Sequence, residues 1–554
     1  MIEKYLEKTE FSSYEDFMEN YKVSVPDSFN FGFDVVDAWA AEDSSMPALV
    51  WCDDSGSERS FTFGDISSLS NRAANMFSSL GVKKGDVVML ILRRRWEFWV
   101  CAVALHKLGA IEVPATLQLT KKDIVYRAES AHISTIVCVN DDFVLSQVEA
   151  ARKETDAIKN AVVVGGTRQG FLYFDDLIAD QSDSFPRPTG ENATKSTDTM
   201  LVYFTSGTTG MPKMVMHDYR YPVGQIVTAK YWQMVQKGKL HMSVSDSGWA
   251  KFGWGKIYGQ WMCGAVIFAY DMLKFKPLEL LKRIEKYRLT TFCAPPTIYR
   301  FMLQEDVASF DLSSVQRWCT AGEPINPEVM RRWEELTGRC IAEGFGQSES
   351  TVMIANFPWF EPRYGSTGKP APLYNIQLIG PDGDYCEDGD EGEIAVTGLK
   401  NGSPPGLFRG YMYDEERTRE AVGGDCYNLR DVAWRDSEGY YWFVGRHDDV
   451  IKCSGYRIGP FEVESALLEH PSVVECAVTG APDPVRGQVV KATVVLAAGW
   501  KPSDELIKEL QNHVKKVTAP YKYPRIVQFV DELPKTVGGK IKRAEIRNSD
   551  LEKA

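Results

Sequence analysis

The sequence predicts an α/β protein with a separate α+β unit at its C-terminal end. Its large N-terminal domain should hold two α/β subdomains and a small β-rich subdomain, with a small α+β domain after them. Three observations carry this reading. The chain has 554 residues, more than one hydrophobic core usually supports, and 44% of them are hydrophobic. Helical and strand periodicities alternate from residue 60 through residue 337. After Gly445-Arg446-His447-Asp448-Asp449 the pattern becomes helix, strand, strand, helix, strand.

Taken in order, residues 60–190 pair amphipathic helical patterns at 66–80 and 97–108 with short apolar runs at 87–91 and 134–139. A strand over 201–204 then runs into Thr205-Ser206-Gly207-Thr208-Thr209-Gly210-Met211-Pro212-Lys213. A second α/β region follows, with helices at 277–287 and 327–337 and a strand at 290–293 that stops at Pro295-Pro296. From 365 to 445 the helical patterns fade. Gly/Asp-rich turns such as Gly380-Pro381-Asp382-Gly383-Asp384 separate short strands there, which marks the β-rich subdomain.

The C-terminal pattern places helices at 461–470 and 503–517 and strands at 473–479, 489–496 and 526–533, a typical domain size. No repeat, low-complexity tract or long linker interrupts the chain. The expected domains are therefore 1–447 and 448–554, joined by a short hinge.

Composition narrows the function classes. A net charge of −13 argues against a general nucleic-acid surface, so small anionic ligands must meet locally basic sites. Apolar stretches are interrupted well before 18 residues, and Met1-Ile2-Glu3-Lys4 opens no secretory signal, so the expectation is a cytoplasmic protein without an integral membrane span. Eleven scattered cysteines without a C-x-x-C pair read as reduced and buried, not as disulfides or zinc ligands. The sequence is compatible with a homo-oligomer.

The 205–213 loop points to a polyphosphate. Gly207 and Gly210 let the backbone approach phosphate oxygens, the Thr205, Ser206, Thr208 and Thr209 hydroxyls donate to them, and Lys213 supplies a point charge. ATP is the first ligand it implies. The spacing is not that of a Walker A loop, and as an isolated segment it also fits an ordinary Thr/Gly-rich turn.

Five distant segments accompany it: Thr320-Ala321-Gly322-Glu323-Pro324, Gly344-Phe345-Gly346-Gln347-Ser348-Glu349, Tyr427-Asn428-Leu429-Arg430-Asp431, the run from Gly445-Arg446 through Cys453-Ser454-Gly455-Tyr456-Arg457, and Leu533-Pro534-Lys535-Thr536-Val537-Gly538-Gly539-Lys540. Taken singly, each has a bland reading. Lys540 is a solvated surface lysine, Asp431 a turn or N-cap acid, Phe345 a core aromatic and Gly455 a turn glycine.

In this order they resemble the adenylate-forming superfamily, over nearly the whole chain. Ser245-Asp246-Ser247-Gly248-Trp249-Ala250-Lys251 and the segment from Ile257-Tyr258 to Gly264-Ala265 resemble the acyl-pocket region of the medium-chain acyl-CoA synthetases. The resemblance implies an ATP-dependent, AMP-forming acid–thiol ligase with a mobile C-terminal domain. A carboxylic acid and ATP give an acyl-adenylate and pyrophosphate, and CoA then gives the thioester and AMP. Alternatives on the same fold are an enzyme that loads a separate carrier protein, since the short stretch after Lys540 leaves no room for an attached one, and a non-catalytic nucleotide-binding protein.

Roles also follow from the resemblance. Lys540 reaches the carboxylate and α-phosphate, Glu349 helps hold Mg²⁺, and Asp431 accepts from the ribose hydroxyls. Gly322, Glu323 and Pro324 pack on adenine with Phe345 as aromatic partner, Gln347 and Ser348 complete that segment, and Arg446 and Arg457 meet phosphate or adenylate. Asp448 is the hinge. Ser454 and Gly455 receive pantetheine, while Lys515, with Arg93, Arg94 and Arg95 as further candidates, meets the CoA phosphates. Gly346 stands where acetate-specific relatives carry Trp, so the acyl site should accept a short-branched to medium-chain acid. Trp249, Trp254 and Trp261 either wall that site or sit in the core, Lys256 shortens it if it points inward, and His217 flanks it or packs. This sequence has Arg430 where the family has Gly, Phe345 where it has Tyr, and Gly538 where it has Ser.

Overall fold

The computed structural model describes residues 1–205, 211–453, 456–483, 486–535 and 541–551. Among them, a seven-stranded sheet runs Leu172–Tyr173, Asn160–Val164, Ile133–Val139, Val87–Ile91, Ile111–Pro114, Thr199–Thr205, Lys213–Asp218. Every pairing is parallel except the last. Val87–Ile91 is buried at every position, which is why it reads as a continuous apolar run instead of an alternating one.

A nine-stranded sheet runs Lys369–Pro370, Ile354–Ala355, Ile341–Phe345, Arg317–Ala321, Thr291–Ala294, Leu240–Ser243, Val266–Asp271, Pro47–Asp53, Glu58–Thr62. It is parallel in its interior and antiparallel at both ends. The α/β reading holds, but the chain does not divide between the sheets where the sequence places the break. Residues 47–62 cross to the second sheet, and the hairpin carrying the 205–213 loop closes the edge of the first. Parallel pairing is non-local, so no neighbouring residue announces which sheet a strand will join.

Helix formation follows local rules. Phe63–Ser79 starts with a capping box, in which the Thr62 hydroxyl accepts from Asp65 N at 3.1 Å and Asp65 accepts from Thr62 N at 2.9 Å. Glu97–Leu108 is buried over its whole length. Its ionisable groups are matched: Glu97 with Arg95 at 2.6 Å, and Lys107 with Asp37 at 2.6 Å and Asn71 at 2.7 Å.

The β-rich subdomain pairs Asn375–Ile379, Glu391–Thr397, Cys426–Arg435 and Tyr441–Arg446 antiparallel. It also contains a short helix, Glu415–Ala421, capped by the Asp414 side chain, which the fading helical pattern did not reveal. Asp449 N and Val450 N both donate to Arg446 O, at 2.9 and 3.1 Å, so a tight turn separates this sheet from the C-terminal one. There Ile451–Cys453, Tyr456–Ile458, Val473–Asp483, Gly487–Leu496 and Ile526–Phe529 form a sheet packed by Pro460–Leu468, Asp504–Val517 and Arg543–Leu551. Leu506, Leu510 and Val514, four apart, make the buried stripe of Asp504–Val517. All eleven cysteines are free, seven of them buried. Among the described residues no helix is long and apolar enough to cross a membrane.

Candidate active site

A cavity of about 1000 Å³ opens where the subdomains meet, beyond the carboxyl ends of the parallel strands Arg317–Ala321 and Ile341–Phe345. Open parallel sheets place ligands at that end because the loops leaving the strands diverge there. The first strand delivers Gly322, Glu323 and Pro324, and Gly322 has φ 102°, a backbone that a side chain disfavours. The second delivers Phe345, Gly346, Gln347, Ser348 and Glu349. The Phe345 ring sits 6.1 Å from that of Phe443, and both line the cavity.

Thr205 and Lys213 face each other as partners at the loop end of the hairpin, and both line the cavity. Ser206, Gly207, Thr208, Thr209 and Gly210 lie outside the described residues. The Lys213 ammonium is 5.1 Å from the centre of the Tyr411 ring, and the Tyr411 hydroxyl donates to Glu349 Oε1 at 3.0 Å. Burial pulls the Lys213 ammonium below the usual lysine range; Glu349 opposes that, while Arg417, Arg430 and Arg446 add to it.

Asp431 reaches the cavity from the β-rich sheet, facing Arg446 on the neighbouring strand. Gln347 Nε2 donates to Asp431 Oδ2 at 2.6 Å and to Leu429 O at 2.9 Å, and the Tyr427 hydroxyl donates to Gln347 Oε1 at 2.6 Å. This chain of bonds sets the carboxylate in a fixed direction. The Ser348 carbonyl accepts from His217 Nε2 at 2.7 Å; burial takes the His217 imidazolium down to about 4, so a neutral ring holds the segment in place.

On the acyl side Trp249 lines the cavity, whereas Trp254 stands behind Gly346 with its Nε1 donating to Ser350 O at 2.9 Å. Trp261 is a core residue, bonded to Ala48 O at 3.0 Å. Lys256 is fully buried but does not line the cavity. Its ammonium lies 5.4 Å from the Phe252 ring centre without a hydrogen-bond partner among the described residues, and burial lowers it to about 7.

From the C-terminal domain, Ile541, Lys542 and Arg543 line the same cavity, and Asn326 Nδ2 of the large domain donates to Ser465 O at 3.1 Å. Arg543 forks onto Glu464 at 2.8 and 2.8 Å. Lys540, Ser454 and Gly455 lie outside the described residues. Arg457 is not at the cavity; its Nε is 3.6 Å from Glu391 of the β-rich sheet. Lys515 is also elsewhere, 4.1 Å over the Tyr523 ring that Arg525 approaches at 5.0 Å. Arg93, Arg94 and Arg95 are committed to Asp271 at 2.9 Å, Asp246 at 3.6 Å and Glu97 at 2.6 Å. Asp448 is exposed on the interdomain turn.

Sequence reasoning passed over Tyr411, Arg417 and Glu343, which also line the cavity, and gave Tyr427, the first residue of the Asp431 segment, no role of its own. Burial pushes the Glu343 carboxyl up to about 8. No local motif marks Tyr411, Arg417 or Glu343; only folding brings them here.

The comparisons agree with this architecture. The family described as AMP-binding enzyme matches residues 36–412, and the AMP-binding enzyme C-terminal domain matches residues 462–540. Acyl-coenzyme A synthetase ACSM3, mitochondrial, of Homo sapiens is 40% identical over 550 residues, covering 98% of this chain and 93% of its own. The human ACSM4 protein, also named mitochondrial, is 41% identical over 536 residues, covering 95% and 91%. The crystal structure of the anthranilate CoA ligase AuaEII with anthranoyl-AMP superposes with a TM-score of 0.87 at 28% identity, covering 96% of this chain and 98% of that one. A benzoate CoA ligase from Burkholderia xenovorans LB400 gives 0.81 at 26%, covering 94% and 100%. The expected cytoplasmic location is corrected by these relatives, whose names place them in mitochondria. With both family regions matched and 40% identity along almost the full length, the chain belongs to the AMP-binding enzyme family, among its AMP-forming acyl-CoA synthetases.

Proposed function

We propose that this cavity is where a short-branched to medium-chain carboxylic acid is adenylated, with ATP lying from Gly322-Glu323-Pro324 and Phe345 across Asp431 to the 205–213 loop. One observation carries the reading. Segments spread over more than three hundred residues of chain bring Lys213, Glu349 and Asp431 into one cavity with Ile541, the first described residue after Lys540. A carboxylate approaching an α-phosphate meets a like-charge repulsion of roughly 4 kcal/mol at about 4 Å and an effective dielectric near 20. Lys540 supplies the opposing charge, and Arg446 adds to it.

Glu349 is suited to help hold Mg²⁺. Its carboxylate lines the cavity with one oxygen engaged by Tyr411, and no group of three or more ligating side chains gathers among the described residues. A lone carboxylate with phosphate oxygens is the donor set that Mg²⁺ takes, and bound there it would offset charge on the triphosphate. Trp249 and Gly346 border the acyl chain, with Trp254 behind Gly346.

The second half-reaction requires the C-terminal domain to turn about Asp448, dividing the chain at 447/448 and withdrawing Lys540. That rotation carries Ser454 and Gly455 to the adenylate and lets Lys515 and Arg457 take new partners, consistent with their positions away from the cavity here. The CoA thiol, with an ordinary pKa near about 8.5, then displaces AMP.

Release of AMP with acetate, straight-chain, branched and aromatic acids, with and without CoA, tests the reading. Lys540→Ala should abolish adenylation while a supplied acyl-adenylate is still converted to thioester. Equal loss of both steps would overturn the two-position scheme, and turnover confined to acetate would overturn the acid assignment.

A further inference from the structure

Arg430 is a charged residue in a backbone conformation made for glycine. Its φ is 57°, in the left-handed region that a Cβ disfavours. Six described non-glycine residues have positive φ, namely Arg93, His132, Met234, Arg288, Tyr413 and Arg430, and Arg430 alone among them lines the active-site cavity. The conformation is clamped from both sides. Arg430 N donates to Asn428 Oδ1 at 2.8 Å, and Arg430 O accepts from His447 N at 2.9 Å. A strained residue held this firmly beside a binding site calls for a functional explanation.

Its surroundings supply one. Arg430, Arg417, Arg446 and Lys213 all line the cavity. Arg417 is partly offset by Asp414 at 3.4 Å, and Lys213 faces Glu349 across Tyr411. Arg430 is exposed and makes no ion pair among the described residues. The charges of Arg417, Arg430 and Arg446 all work against protonation of Lys213, so these cations share one electrostatic neighbourhood at the cavity wall. A polyanion satisfies such a group, and the bidentate fork of arginine matches phosphate oxygens.

We propose that Arg430 binds the β- and γ-phosphates of ATP together with Lys213 and follows them as the pyrophosphate leaving group. The proposal rests on the placement of the triphosphate at the 205–213 loop. It separates two adjacent residues by task, with Asp431 holding the nucleoside and Arg430 the departing phosphates.

The test compares Arg430→Gly, Arg430→Asn and Arg430→Lys with the full-length enzyme, measuring KM for ATP, inhibition by pyrophosphate and by AMP, and the melting temperature. Gly and Asn accept the left-handed backbone, so neither should melt lower than the parent. Both should raise the KM for ATP and the inhibition constant of pyrophosphate about 10-fold, the loss of a charge-assisted contact, with AMP inhibition unchanged. Arg430→Lys should recover part of the loss. Equal weakening of AMP and pyrophosphate would overturn the proposal by assigning Arg430 to the nucleoside. So would unchanged pyrophosphate inhibition in a background where Lys213→Ala weakens ATP. If Lys213→Ala itself leaves ATP and pyrophosphate unaffected, the placement of the triphosphate fails, and the proposal with it.

Discussion

The indole of Trp254 fills the space that any side chain at position 346 would need. A Cβ on Gly346 would fall 2.4 Å from Trp254 Cη2 and 2.6 Å from the Thr351 carbonyl oxygen. Trp254 is only 5% exposed and is tied to Ser350 O, so it has little room to retreat.

Gly346→Ala should therefore destabilise the protein by about 1–3 kcal/mol, the usual range for overpacking a well-filled site. The displaced indole or backbone should also narrow the acyl end of the cavity. The kcat/KM for octanoate should fall more than that for acetate; equal proportional losses would separate Gly346 from acyl selection.

Lys213→Ala removes the cation above Tyr411. The KM for ATP should rise by about 10-fold or more, because a charge-assisted phosphate contact is lost. Glu349→Gln keeps an acceptor for the Tyr411 hydroxyl while removing a charge. It should leave the melting temperature near that of the parent and raise the Mg²⁺ concentration needed for half-maximal adenylation, read by pyrophosphate release.

Asp431→Asn should weaken ATP and AMP alike, by about 10- to 150-fold, since a hydrogen bond to a charged acceptor is worth about 1.5–3 kcal/mol. The same substitution should matter far less with ATP analogues lacking the ribose hydroxyls. Gln347→Ala, which frees the carboxylate from its 2.6 Å anchor, should produce a smaller version of the same defect. A defect equally large with the deoxy analogues would remove Asp431 from ribose binding.

Glu112 is fully buried beside His106 at 3.4 Å and Tyr258 at 3.3 Å, and burial pushes its carboxyl up to about 8. The folded state thus holds a proton that the unfolded state releases above about 4.5, so the stability it contributes is complete below that pH and is lost as pH rises toward about 8. His106, drawn down to about 3 by burial, stays neutral across that window. Glu112→Gln mimics the protonated acid. Relative to it, the parent should lose up to about 1.4 kcal/mol per pH unit between pH 5 and 8, measured by urea unfolding. Parallel stability profiles would show that Glu112 titrates normally.

Much of this protein was legible locally. The buried run Val87–Ile91, the helix Glu97–Leu108 and the proline-led helices Pro277–Tyr287 and Pro327–Thr337 are short-range features that periodicity and side-chain chemistry expose. The short helix Glu415–Ala421 was not, because seven residues carry too little pattern to distinguish it from the turns around it. In the cavity, residues within motifs could be named in advance, but Tyr411 and Glu343 could not: a lone aromatic or acid outside a motif has no marker for facing a ligand.

By itself the sequence determined the α/β plus α+β architecture, the order of its elements and a chain of motifs that resembles an adenylate-forming enzyme. Those properties depend on hydrophobic period, turn chemistry and spacing, all of which are linear. Tertiary structure alone decided that the 205–213 hairpin edges the first sheet, that residues 47–62 join the second, that Trp254 stands against Gly346, and that Arg430 shares a cavity with Lys213. The reason is physical. Parallel strand pairing and the packing of side chains from distant segments are set by which buried surfaces and charges satisfy one another in three dimensions, and no local stretch of chain contains that information.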